Sequence, residues 1–148
     1  EILWNEEPDV VINFGSCGNL KDFKVGEVIE VGTTYNNIDV RPFAEYGCTP
    51  ENNECEIKLS NSGVKCFSTD QIYDNSRTDY ANKYLEMINT CDIVDMECYS
   101  LAYVCKQRDI MFKSFKWVSD DGDIDKWEQN AAIGFENFSN KLINLLKK

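Results

Sequence analysis

The sequence predicts an α/β fold: three layers around a mostly parallel central sheet. Three observations predict it. Short, nearly continuous apolar runs such as Val10–Phe14 (VVINF) are bounded by Pro or Gly, as strands buried on both faces are. Other segments repeat their apolar residues at the helical spacing. Strands and helices alternate along much of the chain, the order that builds parallel sheets. With 148 residues, 43% of them apolar, residues 1–148 suit one domain that buries about two-thirds of its unfolded surface.

Taken in order, residues 1–7 (EILWNEE) read as the tail of a helix that Pro8 ends. Val10–Phe14 is the first strand and runs into the small-residue turn Gly15-Ser16-Cys17-Gly18-Asn19. Glu27–Thr34 (EVIEVGTT) alternates like a strand. Residues 35–55, with Pro42, Gly47, Pro50 and many Asn, predict a long loop. Gly63–Ser68 is a short strand. Asp79–Asn89 is a helix with Tyr80, Tyr84 and Met87/Ile88 on one side. Cys91–Val94 is a very short strand. Asp95–Gln107 is a helix with Cys98, Leu101, Ala102 and Cys105 on one stripe. Ile110–Val118 is a strand, and Ser119–Asp125 an acidic turn. The rest is a long amphipathic helix, with Phe135, Phe138, Leu142 and Leu145 on its buried stripe.

Composition excludes several classes of function. The net charge of −11 argues against nucleic acid and anionic membranes, whose phosphates demand clustered Lys and Arg. No apolar run approaches the ~18 residues of a membrane span. The chain has no histidine, which removes His-based triads and most familiar zinc sites. Seven cysteines without CxxC spacing suggest buried thiols in a reducing, cytoplasmic setting. Cys48 and Cys55, in a polar stretch, are the one pair that could close a bridge.

In open α/β sheets ligands bind beyond the carboxyl ends of the strands. Those ends deliver Gly15-Ser16-Cys17-Gly18, then Ser68-Thr69-Asp70, then Asp95-Met96-Glu97, then Ser119-Asp120. Each has a plain explanation alone. GSCG lacks the Lys of a phosphate-binding loop and reads as an ordinary turn. Glu97 suits the first turn of a helix, and Ser119-Asp120 suits a helix cap. Asp120, Asp121, Asp123 and Asp125 lack the closing Glu of a calcium loop and read as a solvated turn. Together they suggest more. Two carboxylates, Glu97 and Asp120, at adjacent strand ends could supply a proton donor and a stabiliser for an oxocarbenium-like state.

The ordered blocks VVINFGSCGNL (10–20), KVGEVIEV (24–31), NIDVRPF (37–43), VDMECYSLAYVC (94–105) and FKWVSDDGD (115–123) resemble the purine nucleoside phosphorylase/nucleosidase superfamily, and within it the methylthioadenosine/S-adenosylhomocysteine nucleosidases. The likeness covers almost the whole chain. It implies a sheet of the nucleoside phosphorylase type and hydrolysis of the N-glycosidic bond of a purine nucleoside. In that likeness Asp120 matches the acid that protonates or hydrogen-bonds N7 of the base, and Glu97 the residue that binds the ribose hydroxyls. Met96 packs on the ribose, Ser16 and Gly18 match the loop against the sugar, and Ser119 precedes the acid. Ile72 or Tyr73 falls where the family places a Phe against the base. Phe43 matches an aromatic that reaches into the neighbouring subunit, so a homodimer or larger homo-oligomer is implied. The resemblance implies no cofactor and no metal, and a small purine nucleoside as the partner.

Hexameric phosphorylases of the superfamily carry a phosphate-binding Arg three residues before the loop Ser. Here that position is Asn13, as in the nucleosidases, and none of the arginines (Arg41, Arg77, Arg108) falls in a block where the family binds phosphate. The chain also departs from the family. It lacks the first strands, a helix and the water-activating Glu that precede these blocks, so the fold is expected to be truncated at the N-terminal side. A phosphorylase using phosphate, and a shortened, non-catalytic homologue that binds nucleosides, are the competing readings.

Overall fold

The structure, a computed structural model, describes residues 8–146. The helix tail expected at residues 1–7 and the Leu145 side chain lie outside what it describes. Seven strands form one sheet: β1 Val10–Asn19, β2 Val28–Glu30, β3 Thr33–Asn36, β4 Glu56–Lys58, β5 Lys65–Ser68, β6 Ile93–Asp95 and β7 Met111–Asp120, in the spatial order β2-β7-β1-β6-β5-β3-β4. The described helices are α1 Asn82–Thr90, α2 Cys98–Gln107 and α3 Ile124–Leu146.

Parallel pairing carries the longest ladder, β1 with β7 from Val10↔Met111 to Cys17↔Val118, and also joins β5 to β3 and to β6. The short strands β2 and β4 pair antiparallel with β7 and β3. So does β6 with β1, through Gly18↔Val94 and Asn19↔Ile93. The carboxyl ends of β1 and β6 therefore run toward one another where strand direction reverses inside the sheet. The β1/β7 register also slips between Cys17 and Gly18, so Gly18 pairs with Asp120. Such a bulge re-aims the side chains around it.

The period of two sorts each strand between helices on opposite faces. In β5, Cys66 joins the α2 cluster, with Val31, Ile93, Cys98, Ala102 and Cys105, while Phe67 joins the α1 cluster, with Tyr80, Tyr84 and Ile88. In β1, Cys17 faces α2, and Phe14 stacks on Phe138 of α3 with ring centroids 3.5 Å apart. This is the predicted three-layer α/β arrangement. No helix among the described residues is long and apolar enough to cross a membrane.

Several sequence expectations need correction. The alternating run 27–34 breaks at Val31-Gly32 into β2 and β3. The strand β4 falls just beyond the predicted loop. Leu101 of the α2 stripe points out, and Tyr99 is buried in its place. Phe135 is 68% exposed and off the buried face of α3. The reason is that α3 docks through small and polar residues beside Phe138. Gly134 is buried with an ideal Cβ position only 2.0 Å from Trp117 Cδ2. Asn130 Nδ2 donates to Ser119 O, Asn137 Nδ2 to Gly26 O and Lys141 Nζ to Val28 O, each at 2.7 Å. Spacing the apolar residues alone rotates the face by about one position.

The polar stretch closes on itself: Cys48 and Cys55 form a disulfide, and the other five cysteines are free and buried.

Candidate active site

A cleft of about 610 Å³ opens where β1 and β6 meet end to end, within the size range of small-molecule sites. The end of β1 brings Ser16, Cys17 and Gly18. The segment after β5 brings Gln71, Ile72 and Tyr73. The end of β6 brings Val94, Asp95, Met96 and Glu97. Ser119 and Asp120 come from the end of β7, and Asp125 and Trp127 from the start of α3. Every sequence-predicted site residue except Phe43 lines this one cleft. Phe43 lies on the 37–55 segment, 81% exposed, away from it.

The two carboxylates differ in surroundings. Asp120 is 9% exposed. Its Oδ2 accepts from Ser119 Oγ at 2.5 Å and its Oδ1 from the Gly122 amide at 2.9 Å. These bonds fix the carboxyl group against the cleft wall, so it is not the helix cap that the local sequence permits. Gly18 is needed beside it: a Cβ there would meet Val94 Cγ1 at 2.9 Å and Asp120 Oδ1 at 3.5 Å. Glu97 is more open and precedes α2 without capping it through its side chain. Its Oε2 is held by Lys116 Nζ at 3.1 Å.

Lys116 is the residue that sequence reasoning missed. It sits in the interior strand β7 with no exposed surface, and its Nζ lies 2.7 Å from Asp95 Oδ2. Burial by itself would lower the pKa of this ammonium, but the Asp95 and Glu97 carboxylates overcome that and hold it well above the ordinary lysine value. Asp95 is fully engaged: Oδ2 also accepts from the Cys98 amide at 2.9 Å, and Oδ1 from Ser68 Oγ at 2.6 Å and Cys66 Sγ at 3.3 Å. The sequence signal was present, a lysine inside the apolar run FKWV, which a buried strand tolerates only with a partner. For Trp127 and Asp125 no such signal exists, since their place at the cleft depends on where α3 docks.

Two other chemistries fit poorly. Cys66, Asp95 and Cys98 lie close enough together to share a metal ion. The Lys116 ammonium already neutralises Asp95, however, and Asp95 has spent its lone pairs on neighbours, so the donor set is occupied. Cys17 lines the cleft, but burial pushes its thiol far above the usual range, and the protonated form is a poor nucleophile.

A helix-covered sheet with acids gathered at the reversal of strand direction defines an α/β ligand-binding protein of the nucleoside phosphorylase type. The chain matches the model of the phosphorylase superfamily over residues 5–147 and belongs to that superfamily. Two curated relatives are 5'-methylthioadenosine/S-adenosylhomocysteine nucleosidases. The one from Haemophilus influenzae (strain PittEE) is 31% identical, over 93% of this chain and 65% of its own. The one from Buchnera aphidicola subsp. Baizongia pistaciae (strain Bp) is 29% identical, over 88% of this chain and 56% of its own. The chain thus spans less than two-thirds of the length of these relatives. Its fold is also similar to the crystal structure of a nucleosidase of the same kind from Colwellia psychrerythraea 34H in complex with adenine, with a TM-score of 0.77 and 18% identity over 94% of this chain and 66% of that one.

Proposed function

We propose that this chain carries the site of a nucleosidase, hydrolysing the N-glycosidic bond of a purine nucleoside of the methylthioadenosine/S-adenosylhomocysteine type. The observation that carries the reading is that Asp120 and Glu97, from strands on either side of β1, line one cleft in different surroundings. Asp120, oriented by Ser119, gives its proton to the purine as the C–N bond breaks and its electron pair leaves with the base. Glu97, held by Lys116, binds the ribose hydroxyls while positive charge develops at the anomeric carbon. Water then adds to that carbon through its oxygen, and its spare proton returns to the Asp120 carboxylate and restores the acid. Met96, Ser16 and Gly18 bound the sugar, and Ile72 and Tyr73 the base.

Hydrolysis is favoured over phosphorolysis by charge. The described cleft lining holds four carboxylates, Asp95, Glu97, Asp120 and Asp125, and no Lys or Arg. The one ammonium beneath it, Lys116, is already paired twice. A phosphate dianion entering there is repelled and finds no free cation to clamp it. We further propose that the molecule acts in the cytoplasm as a single-domain homo-oligomer, with Phe43 completing a neighbouring subunit's cleft.

The test is adenine release from 5'-methylthioadenosine, followed chromatographically with and without phosphate. Phosphate-independent release that falls at least a hundredfold in Asp120→Asn, with nucleoside binding retained, is the expected result. Equal release by wild type and variant overturns the role of Asp120. Binding without release selects the non-catalytic reading.

A further inference from the structure

The segment after β5 that carries Ile72 and Tyr73 to the cleft is held from two sides. Behind it, the Tyr80 hydroxyl accepts from the Asp74 amide at 2.8 Å and donates to Ile72 O at 3.3 Å. Ahead of it, Asn75 fastens the segment to the turn that follows Asp120. Its Nδ2 donates to Asp121 O and its backbone amide to Gly122 O, each at 3.2 Å. The Gly122 amide in turn donates to Asp120 Oδ1 at 2.9 Å. Gly122 is buried at φ +89°, a backbone region that glycine reaches without strain. A Cβ there would lie 3.1 Å from both Tyr73 Cε1 and Asn75 Cβ. The turn is thus packed as well as bonded against the segment, and one of the bonds that orient the Asp120 carboxyl comes from it.

We infer that Asn75 is a positioning residue: by clamping the turn 121–122 it holds the Gly122 amide on Asp120, and so keeps the acid aimed at the base that Ile72 and Tyr73 bound; this rests on the nucleosidase reading proposed above. Asn75 is not among the residues that line the cleft, and it is exposed, so replacing it leaves the core intact. The base wall keeps its Tyr80 bonds, and Ser119 keeps its bond to Asp120 Oδ2. What is lost is one anchor of the turn. A small misplacement of an acid relative to the atom it protonates slows the chemical step more than it weakens binding. Aspartate is the sharpest replacement, because it keeps the shape of asparagine and has no N–H for Asp121 O.

The experiment is steady-state adenine release from 5'-methylthioadenosine by wild type, Asn75→Ala, Asn75→Asp, Asp120→Asn and the double variant Asp120→Asn/Asn75→Ala. Circular dichroism confirms that each variant is folded. In Asn75→Ala and Asn75→Asp, kcat is expected to fall about tenfold while KM changes by less than about threefold. With Asp120 already replaced, Asn75→Ala costs less than about twofold further, because no acid remains to be aimed. A purely structural role would lower the rate equally in both backgrounds. Unchanged kcat in either Asn75 variant, a loss carried by KM, or the full tenfold loss in the Asp120→Asn background overturns this inference while leaving the nucleosidase reading intact. Failure of wild type to release adenine overturns that reading and this inference with it.

Discussion

The Lys116 ammonium lies 2.7 Å from the Asp95 carboxylate, and neither side chain is exposed to solvent. Asp95 lines the cleft, and Lys116 beneath it anchors Glu97. Breaking a buried pair from one side leaves an uncompensated charge, which costs about 3–5 kcal/mol, far more than the pair itself contributes. Lys116→Met is expected to lose stability of about that size in urea unfolding, and Lys116→Met/Asp95→Asn to recover much of it. A Lys116→Met variant as stable as wild type contradicts the buried pairing.

Glu97 makes the opposite case. Its side chain is 57% exposed, so Glu97→Gln should change stability by less than about 0.5 kcal/mol. Under the proposed role the same substitution weakens nucleoside binding about tenfold or more, since a neutral amide replaces a charged acceptor at the ribose hydroxyls. Calorimetry and urea unfolding on one sample separate the two effects. Unchanged affinity removes Glu97 from the sugar site.

Gly134→Ala reverses a general rule. Inside a helix the change ordinarily gains about 1 kcal/mol. Here the added methyl falls 2.0 Å from Trp117 Cδ2 in a buried contact, and overpacking of this kind costs about 1–3 kcal/mol. The variant should therefore be less stable than wild type, with an altered near-ultraviolet tryptophan signal from the displaced Trp117. A gain in melting temperature rules out this docking of α3.

The thiols predict a pH dependence. Burial, with the Asp92 charge adding to it, pushes Cys91 up to about 12, against about 8.5 in the unfolded chain. A thiol whose pKa is raised by folding contributes stability that is fully present below about pH 8.5 and is lost as the pH rises toward 12. Burial raises Tyr84 to about 12 as well, which extends the loss above about pH 10, the unfolded tyrosine value. Melting temperature should fall steadily between about pH 8.5 and 11. At about pH 8 a thiol reagent should find none of the five free cysteines in the native protein and all five after denaturation. Rapid native labelling would show that these cysteines are not buried.

Much of the cleft was legible in the chain because strand ends are local features. Ser16, Gly18, Met96, Glu97, Ser119 and Asp120 each come just after a short apolar run, and ligand sites form where such strand ends gather, here the ends of β1 and β7 meeting that of β6 where strand direction reverses. The family likeness then assigned them roles. The antiparallel pairing of β6 with β1 was not legible. A three-residue strand has the same composition in either direction, and only its neighbours fix its sense. Phe138 of α3 packs on the sheet as its spacing predicts, but Phe135 was misread for a related reason: Asn130, Gly134, Asn137 and Lys141 dock by hydrogen bonds and close approach, which apolar periodicity does not record.

The sequence alone determined the layered α/β class, the acidic character and the residues that strand ends present, because these stem from period, charge and turn chemistry along the chain. Only the tertiary structure decided that Lys116 would be a buried charge beneath the cleft and Trp127 a wall. A buried lysine becomes tenable only when Asp95, distant in the chain, arrives within 2.7 Å. An indole reaches Ser16 only once α3 has packed on the sheet. Burial and proximity are properties of the fold, and they set both the charge state of a side chain and the surface it offers to a ligand.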